Sequence, residues 1–204
     1  MLSVHDLAVA RGGQTVLAGL TFDVTAGSAL ILRGANGIGK TTLLRTLAGL
    51  QDPVAGSYDY PADGGAYASH ADAVKSALSV EENLAFWASI YGADLPDMLW
   101  DQFDIRDLRT RIVGTLSAGQ KRRLGLARLG VIKRKVLFLD EPTVSLDGFS
   151  VKLFAEFIQA EHLAKGGIAV IATHIDLDIA AKTLDLTPFA ATDQPLDDSD
   201  EAFL

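Results

Sequence analysis

Ser28-Ala29-Leu30-Ile31-Leu32-Arg33-Gly34-Ala35-Asn36-Gly37-Ile38-Gly39-Lys40-Thr41-Thr42 is the stretch whose reading decides the fold. Its first six residues form a short apolar run of the kind that fills a strand covered on both faces. A glycine-rich turn follows. From Lys40 onward, Leu43, Leu44, Leu47 and Leu50 recur on one face of a helix, which Gly49 and Pro53 bring to an end. The turn fits the pattern G-x-x-x-x-G-K-[ST] between a strand and a helix. Glycines let such a loop wrap closely, so that several backbone N–H groups point inward at phosphate oxygens. The helix N-terminus adds partial positive charge at the same place. Lys40 is then placed to reach the outer phosphates of a nucleotide, and the Thr41 hydroxyl to bind Mg²⁺.

Outward from this stretch, a second apolar run, Val136-Leu137-Phe138-Leu139, ends in Asp140-Glu141-Pro142. A third, Ile168-Ala169-Val170-Ile171-Ala172, ends in Thr173-His174. A helix is expected around 151–165, broken at Gly166-Gly167. Strands alternating with helices argue for an α/β fold with a largely parallel sheet and helices on both faces. Residues 2–9 and 20–24 alternate as strands, 53–70 read as loop, and 79–129 read as an inserted helical subdomain (about 72–130 in all). The stretch 188–204 is acidic and reads as a frayed tail. Ligands bind at the carboxyl edge of a parallel sheet. There one carboxylate can hold Mg²⁺ and a second can orient or deprotonate an attacking water. Asp140 is assigned the metal role and Glu141 that of general base. Alone, two acids ending a strand are equally well a solvated surface feature; beside a phosphate loop they supply the hydrolytic half.

The chain has 204 residues, which at about 150 per domain fits one domain with an insertion. Hydrophobic residues make up 49% and charged residues 22%, an ordinary globular balance. The net charge of −8 argues against a broad basic face for nucleic-acid phosphates, so no nucleic-acid partner is expected. There is no cysteine, which excludes disulfides, thiol catalysis and cysteine-ligated metal centres. The first residues lack the basic flank and apolar core of a signal peptide. No uncharged apolar run approaches the ~18 residues of a membrane span. The mean hydropathy of +0.22 is high for a chain without one.

Leu116-Ser117-Ala118-Gly119-Gln120, with Ser117 as the expected N-cap of the helix that follows, completes a set of five motifs. The others are the loop at 34–42, Asp140-Glu141-Pro142-Thr143, Ser145-Leu146-Asp147 and Thr173-His174. In this order, over residues 2 to about 187, the chain resembles the ATP-binding subunits of ABC transporters. The resemblance implies a P-loop NTPase fold with an N-terminal antiparallel β subdomain, a parallel core sheet and an inserted helical subdomain. It implies ATP and Mg²⁺ as ligands. Asn36, Gly37, Gly39, Lys40, Thr41 and Thr42 would hold the nucleotide, and Thr41 and Asp140 the metal. It also implies a head-to-tail dimer in which Ser117, Gly119 and Gln120 meet ATP bound to the partner. Asp147 would carry signals across that dimer, and His174 would hold the γ-phosphate near Glu141. Without the resemblance, a histidine ending a strand has no such role.

Three positions depart from the family pattern. His70 stands about where a glutamine is usual, and is taken as a catalytic substitute. Arg11 stands where an aromatic stacks on adenine. A guanidinium plane can stack on a base, or Arg11 is a loop charge and adenine is held loosely. Ala118 replaces a glycine. With the run from Val74 to Phe86, these departures resemble the ATPases of cytochrome c maturation heme exporters. That implies a peripheral subunit on the cytoplasmic face of the bacterial inner membrane, bound to an integral membrane subunit and serving heme and a heme chaperone indirectly. The alternatives are the ATPase of another small ABC importer or exporter, or a soluble ABC ATPase outside transport. Most apolar residues of the insert are expected to fill its own core; Phe86, Trp87 or Tyr91 are candidates to line a groove for a membrane partner's helix.

Overall fold

The computed structural model describes residues 1–61, 64–69 and 71–191. Strands β1 (Leu2–Arg11) and β2 (Gln14–Val24) form a hairpin, and β4 (Ala55–Asp59) pairs with the other edge of β1. All pairs in this three-stranded sheet are antiparallel. The hairpin turns at Gly12-Gly13, both with positive φ, the conformation that matches a two-residue turn to the twist of its strands.

The second sheet contains β3 (Ala29–Arg33), β5 (Gly65–Ala68), β6 (Val136–Asp140), β7 (Ile168–Ala172) and β8 (Ala181–Asp185). Its order is β5-β6-β7-β3-β8, with every neighbouring pair parallel. The central strands β6 and β7 are buried along their whole length, which explains why their sequences are unbroken apolar runs. Alternate residues serve two cores. Val136, Phe138 and Val170 join Leu7, Leu20 and Leu47 on the side of the antiparallel sheet and helix α1 (Lys40–Leu47). Leu137, Leu139, Ala169 and Ile171 join Leu84, Leu124 and Phe154 on the other.

Between β5 and β6 the chain builds α2 (Val80–Tyr91), α3 (Met98–Gln102) and α4 (Ala118–Ile132). Ser79–Glu82 and Ser117–Gln120 are reciprocal capping boxes, so side chain and backbone satisfy each other's orphan groups at the starts of α2 and α4. After β6, Asp147 caps α5 (Gly148–Glu156) through Ser150 N–H at 2.8 Å.

Three sequence expectations need correction. Residues 53–70 are not only loop, since they contain β4 and β5. The former is an exposed edge strand and the latter is four residues long, with Tyr67 among glycine and alanines, so neither shows a clear apolar period. Strand β8 was not anticipated for the same reason: it is an exposed edge strand with little apolar content. The helix expected over 151–165 begins earlier, at Gly148. It gives way to a π turn over Phe157–His162 and a 3₁₀ turn over Leu163–Lys165. The widened turn accompanies a hydrogen bond between His162 Nε2 and the Ile168 carbonyl at 2.9 Å. Of the acidic stretch 188–204, residues 188–191 are described; Ala191 N–H donates to Val16 O at 3.0 Å. Residues 192–204 lie outside the described residues.

Phe138 is fully buried in the central strand, against Tyr60 and directly over Gly65, where any Cβ would lie 2.5 Å from its ring. Phe138→Ala is expected to cost about 3–5 kcal/mol of stability, because the neighbouring strands leave little room for collapse. Urea unfolding followed by circular dichroism measures it; a loss below about 1 kcal/mol contradicts this packing.

Candidate nucleotide site

Strand β3 delivers the chain to the glycine-rich loop at the carboxyl edge of the sheet, and α1 leaves from it. Gly34, Gly37 and Gly39 all have positive φ, with Gly39 at +119° as the N-cap of α1. A Cβ on Gly39 would lie 3.0 Å from Leu17, so the loop is seated against β2 only because that residue is glycine. The first turn of α1 contains no acidic residue, leaving its N–H groups open to an anion.

Lys40 is buried at the centre of this edge. Its Nζ donates to Gly34 O at 2.8 Å and Ala35 O at 3.1 Å, and lies 3.4 Å from His174 Nε2. Burial lowers its pKa below the ordinary lysine value; Glu141 and Asp140 act against that shift and Arg33 acts with it. Thr41 Oγ1 donates to Asp140 Oδ2 at 2.8 Å, and Tyr67 OH donates to the same oxygen at 3.2 Å. Burial, then the Asp140 charge, raise the Tyr67 pKa well above the usual phenol range, so Tyr67 remains a proton donor to the carboxylate.

Glu141 follows β6 with φ +46°, in the left-handed region. Its N–H donates to Ala172 O at 2.9 Å, which locks it to the end of β7. Its Oε1 lies 3.5 Å from His174 Nε2, close enough for electrostatic contact. That oxygen is nevertheless buried without a hydrogen-bond partner. A buried, unpartnered carboxylate oxygen calls for a water or a bound group to complete it. Among the described residues no cluster of three His, Cys, Asp or Glu could hold a metal alone. Thr41 with Asp140 fits instead the way Mg²⁺ is bound: few protein oxygens, with substrate phosphates and water supplying the rest.

The structure thus brings Lys40, Thr41, Asp140, Glu141 and His174 together. Thr42 is buried on α1, while Asn36 and Gly37 are exposed on the loop. Ser117, Gly119 and Gln120 form a separate group at the N-terminus of α4, where Ser117 Oγ accepts from Gln120 N–H at 3.3 Å. Ser117 is exposed, and Gly119 packs on the Ser145 carbonyl. The Ser150 N–H bonded to Asp147 lowers the pKa of that carboxyl, keeping it ionised. Arg11 is exposed at the hairpin end, paired with Gln14 across β1 and β2. His70 lies outside the described residues.

Sequence reasoning missed three side chains. Tyr67 supports Asp140. Arg33 donates to Thr173 O at 2.5 Å and Ile175 O at 3.1 Å, bracketing the His174 peptide. Arg122, in α4, donates to the carbonyls of Glu141 and Pro142. The only sequence signals were a charge ending an apolar strand and a basic run after Gln120.

A loop that cradles phosphates, a lysine among its carbonyls and paired acids beyond the next strand define a nucleoside-triphosphatase. The match to the ABC transporter family covers residues 17–144, and the chain belongs to that family. Over 204 residues it is 57% identical to the "Cytochrome c biogenesis ATP-binding export protein CcmA" of Ruegeria pomeroyi, covering 100% of this chain and 99% of that one. The protein of the same name from Rhodobacter capsulatus is 58% identical over 94% of this chain and 89% of its own length. Among solved structures, a putative ABC transporter ATP-binding protein from Pyrococcus furiosus superposes with a TM-score of 0.81 at 26% identity, covering 93% of this chain and 99% of that one.

Lys40→Ala removes the only ammonium in this constellation of contacts. ATP affinity is expected to fall about 10- to 100-fold, the usual worth of a hydrogen bond to a charged group. Titration with a fluorescent ATP analogue reads this directly; unchanged affinity contradicts the placement of nucleotide at the loop.

Proposed function

We propose that the chain is the ATP-hydrolysing subunit of a bacterial ABC transporter that exports heme, or releases heme from its chaperone, for cytochrome c biogenesis. One observation carries the catalytic part. Lys40, Thr41, Asp140, Glu141 and His174, from two strand ends and a helix, are linked by contacts of 2.8 to 3.5 Å at one sheet edge. The cargo rests on the relatives at 57–58% identity, which are named for cytochrome c biogenesis.

In this reading ATP lies along the loop of residues 34–42, with the N–H groups of α1 on its phosphates. Lys40 exchanges the Gly34 and Ala35 carbonyls for phosphate oxygens, which restores the solvation that burial removes. Thr41 and Asp140 would hold Mg²⁺, which would supply positive charge against the phosphates. Glu141 orients a water at the γ-phosphate through the oxygen that lacks a partner, and His174 holds that phosphate from the other side. A second copy closes its Ser117 loop on the same nucleotide, and Asp147 relays that closure. We read residues 1–204 as one ATP-binding domain whose helical insert spans about 72–130.

No described helix is long and apolar enough to cross a membrane; in this reading an integral membrane partner holds the chain at the cytoplasmic face of the inner membrane. The insert offers a docking surface. Phe86 and Trp87 are half-buried and meet edge to face at 5.6 Å, and Trp87 stacks on Tyr91 at 6.2 Å. Ile90, beside them, is 55% exposed.

Glu141→Gln preserves shape and removes the charge. Turnover is expected to fall at least about 10²-fold, the usual worth of a positioned base, while ATP remains bound and holds the dimer together. A phosphate-release assay beside gel filtration in ATP tests this, and wild-type turnover would falsify the role of Glu141. Alanine at Trp87 is expected to reduce co-purification with the membrane subunit; undiminished recovery of the complex would move the docking surface elsewhere.

A further inference from the structure

Arg122 is a buried charged side chain with four hydrogen-bond partners among the described residues. It is 3% exposed, on the second turn of α4. Its Nε donates to Pro142 O at 2.8 Å, and one terminal nitrogen donates to Glu141 O at 2.9 Å. The other donates to Ser69 O at 2.7 Å and to Asp72 Oδ1 at 3.3 Å. Every nitrogen of the guanidinium is used, and three of its four partners are backbone carbonyls.

One of those carbonyls is that of Glu141 itself and a second is that of the next residue, Pro142. Glu141 adopts φ +46°, which a residue with a side chain reaches only at an energetic cost and keeps only where its surroundings enforce it. Two forces enforce it here. The Ala172 carbonyl holds the N–H side. Arg122 holds the C=O side and the next carbonyl along. The rigid fork of a guanidinium can grip both at once, where a lysine would offer a point charge.

The same side chain reaches Ser69 and Asp72, the segment that leads from β5 into the insert. Packing reinforces this contact, because Gly125, one turn further along α4, has the Asp72 backbone where its Cβ would be, 2.6 Å from the Asp72 carbonyl. The N-terminus of α4, three to five residues before Arg122, carries Ser117 and Gly119.

We propose that Arg122 is a positioning residue for Glu141. It fixes the left-handed Glu141 peptide, and so the aim of the carboxylate, to α4 and to the entry of the insert. Glu141 therefore points correctly only when α4 is seated. The inference rests on Glu141 directing the attacking water.

The test uses the assembled transporter carrying Arg122→Met or Arg122→Lys, with kcat from phosphate release and ATP affinity from nucleotide titration. A displaced carboxylate is expected to lower kcat by about 10²-fold for Arg122→Met, since a 1 Å misplacement costs about that much. ATP affinity should stay within about threefold, because the loop of residues 34–42 is untouched. Arg122→Lys retains the buried charge and one bond, and should fall between. If Arg122→Met does not fold, Arg122→Lys alone decides: reduced kcat at unchanged ATP affinity and thermal midpoint supports the proposal, and wild-type kcat overturns it. Combining Arg122→Lys with Glu141→Gln separates this proposal from the one beneath it. No further loss beyond Glu141→Gln supports action through Glu141, and an additive loss overturns it. Wild-type turnover in Glu141→Gln alone would instead sink the role of Glu141 itself.

Discussion

A lysine ammonium buried at the edge of a parallel sheet must be compensated, and the site is organised around that requirement. Lys40 has lost most of its water and relies on two loop carbonyls, with His174 at 3.4 Å. Carbonyl dipoles compensate a full charge only in part. The acids that would complete the compensation, Asp140 and Glu141, lie at the end of β6, across β7 from the loop, and are partly committed elsewhere. Asp140 accepts from Thr41 and Tyr67, and Glu141 is turned toward His174. The arrangement therefore keeps a cation in reserve for an anion that approaches along the N-terminus of α1.

The order of the sheet follows from the same requirement. Strand β3 brings the loop, β6 brings Asp140 and Glu141, and β7 between them brings His174. All run parallel, so their carboxyl ends meet at one edge. An antiparallel arrangement would carry one of these groups to the opposite end, roughly five residues or about 17 Å away. The fully buried runs of β6 and β7 are the energetic price of this geometry, because a parallel strand between two layers must be apolar on both faces.

What could be read in the sequence was local. Gly34 to Thr42, Asp140-Glu141 and Thr173-His174 each combine an apolar strand with the chemistry at its end, so a few adjacent residues carry the whole signal. The same holds for Ser117–Gln120 as a helix cap. Edge strands β4 and β8 were illegible because they are exposed and lack an apolar period. Tyr67, Arg33 and Arg122 were illegible for another reason: each acts on a partner far along the chain. Tyr67 meets a carboxylate 73 residues on, and Arg33 a carbonyl 140 residues on. Nothing in the residues around an arginine tells that its partner is a carbonyl on another strand.

Arg33 and Arg122 show a shared solution. If His174 and Glu141 act on a phosphate as proposed, their own polar atoms must stay free for substrate and water. The two residues cannot also be held in place by their side chains. The structure instead holds them by their backbone, through arginines that bond to the carbonyls of the same or neighbouring peptides. A guanidinium suits this task because it donates in several directions at once and has no acceptor to compete for the same site. Burial lowers the pKa of Arg122 as it does that of Lys40, yet a guanidinium starts so far above neutrality that it stays charged. The permanent charge of Arg122 therefore serves to hold the backbone, while the Lys40 ammonium faces two loop carbonyls and His174.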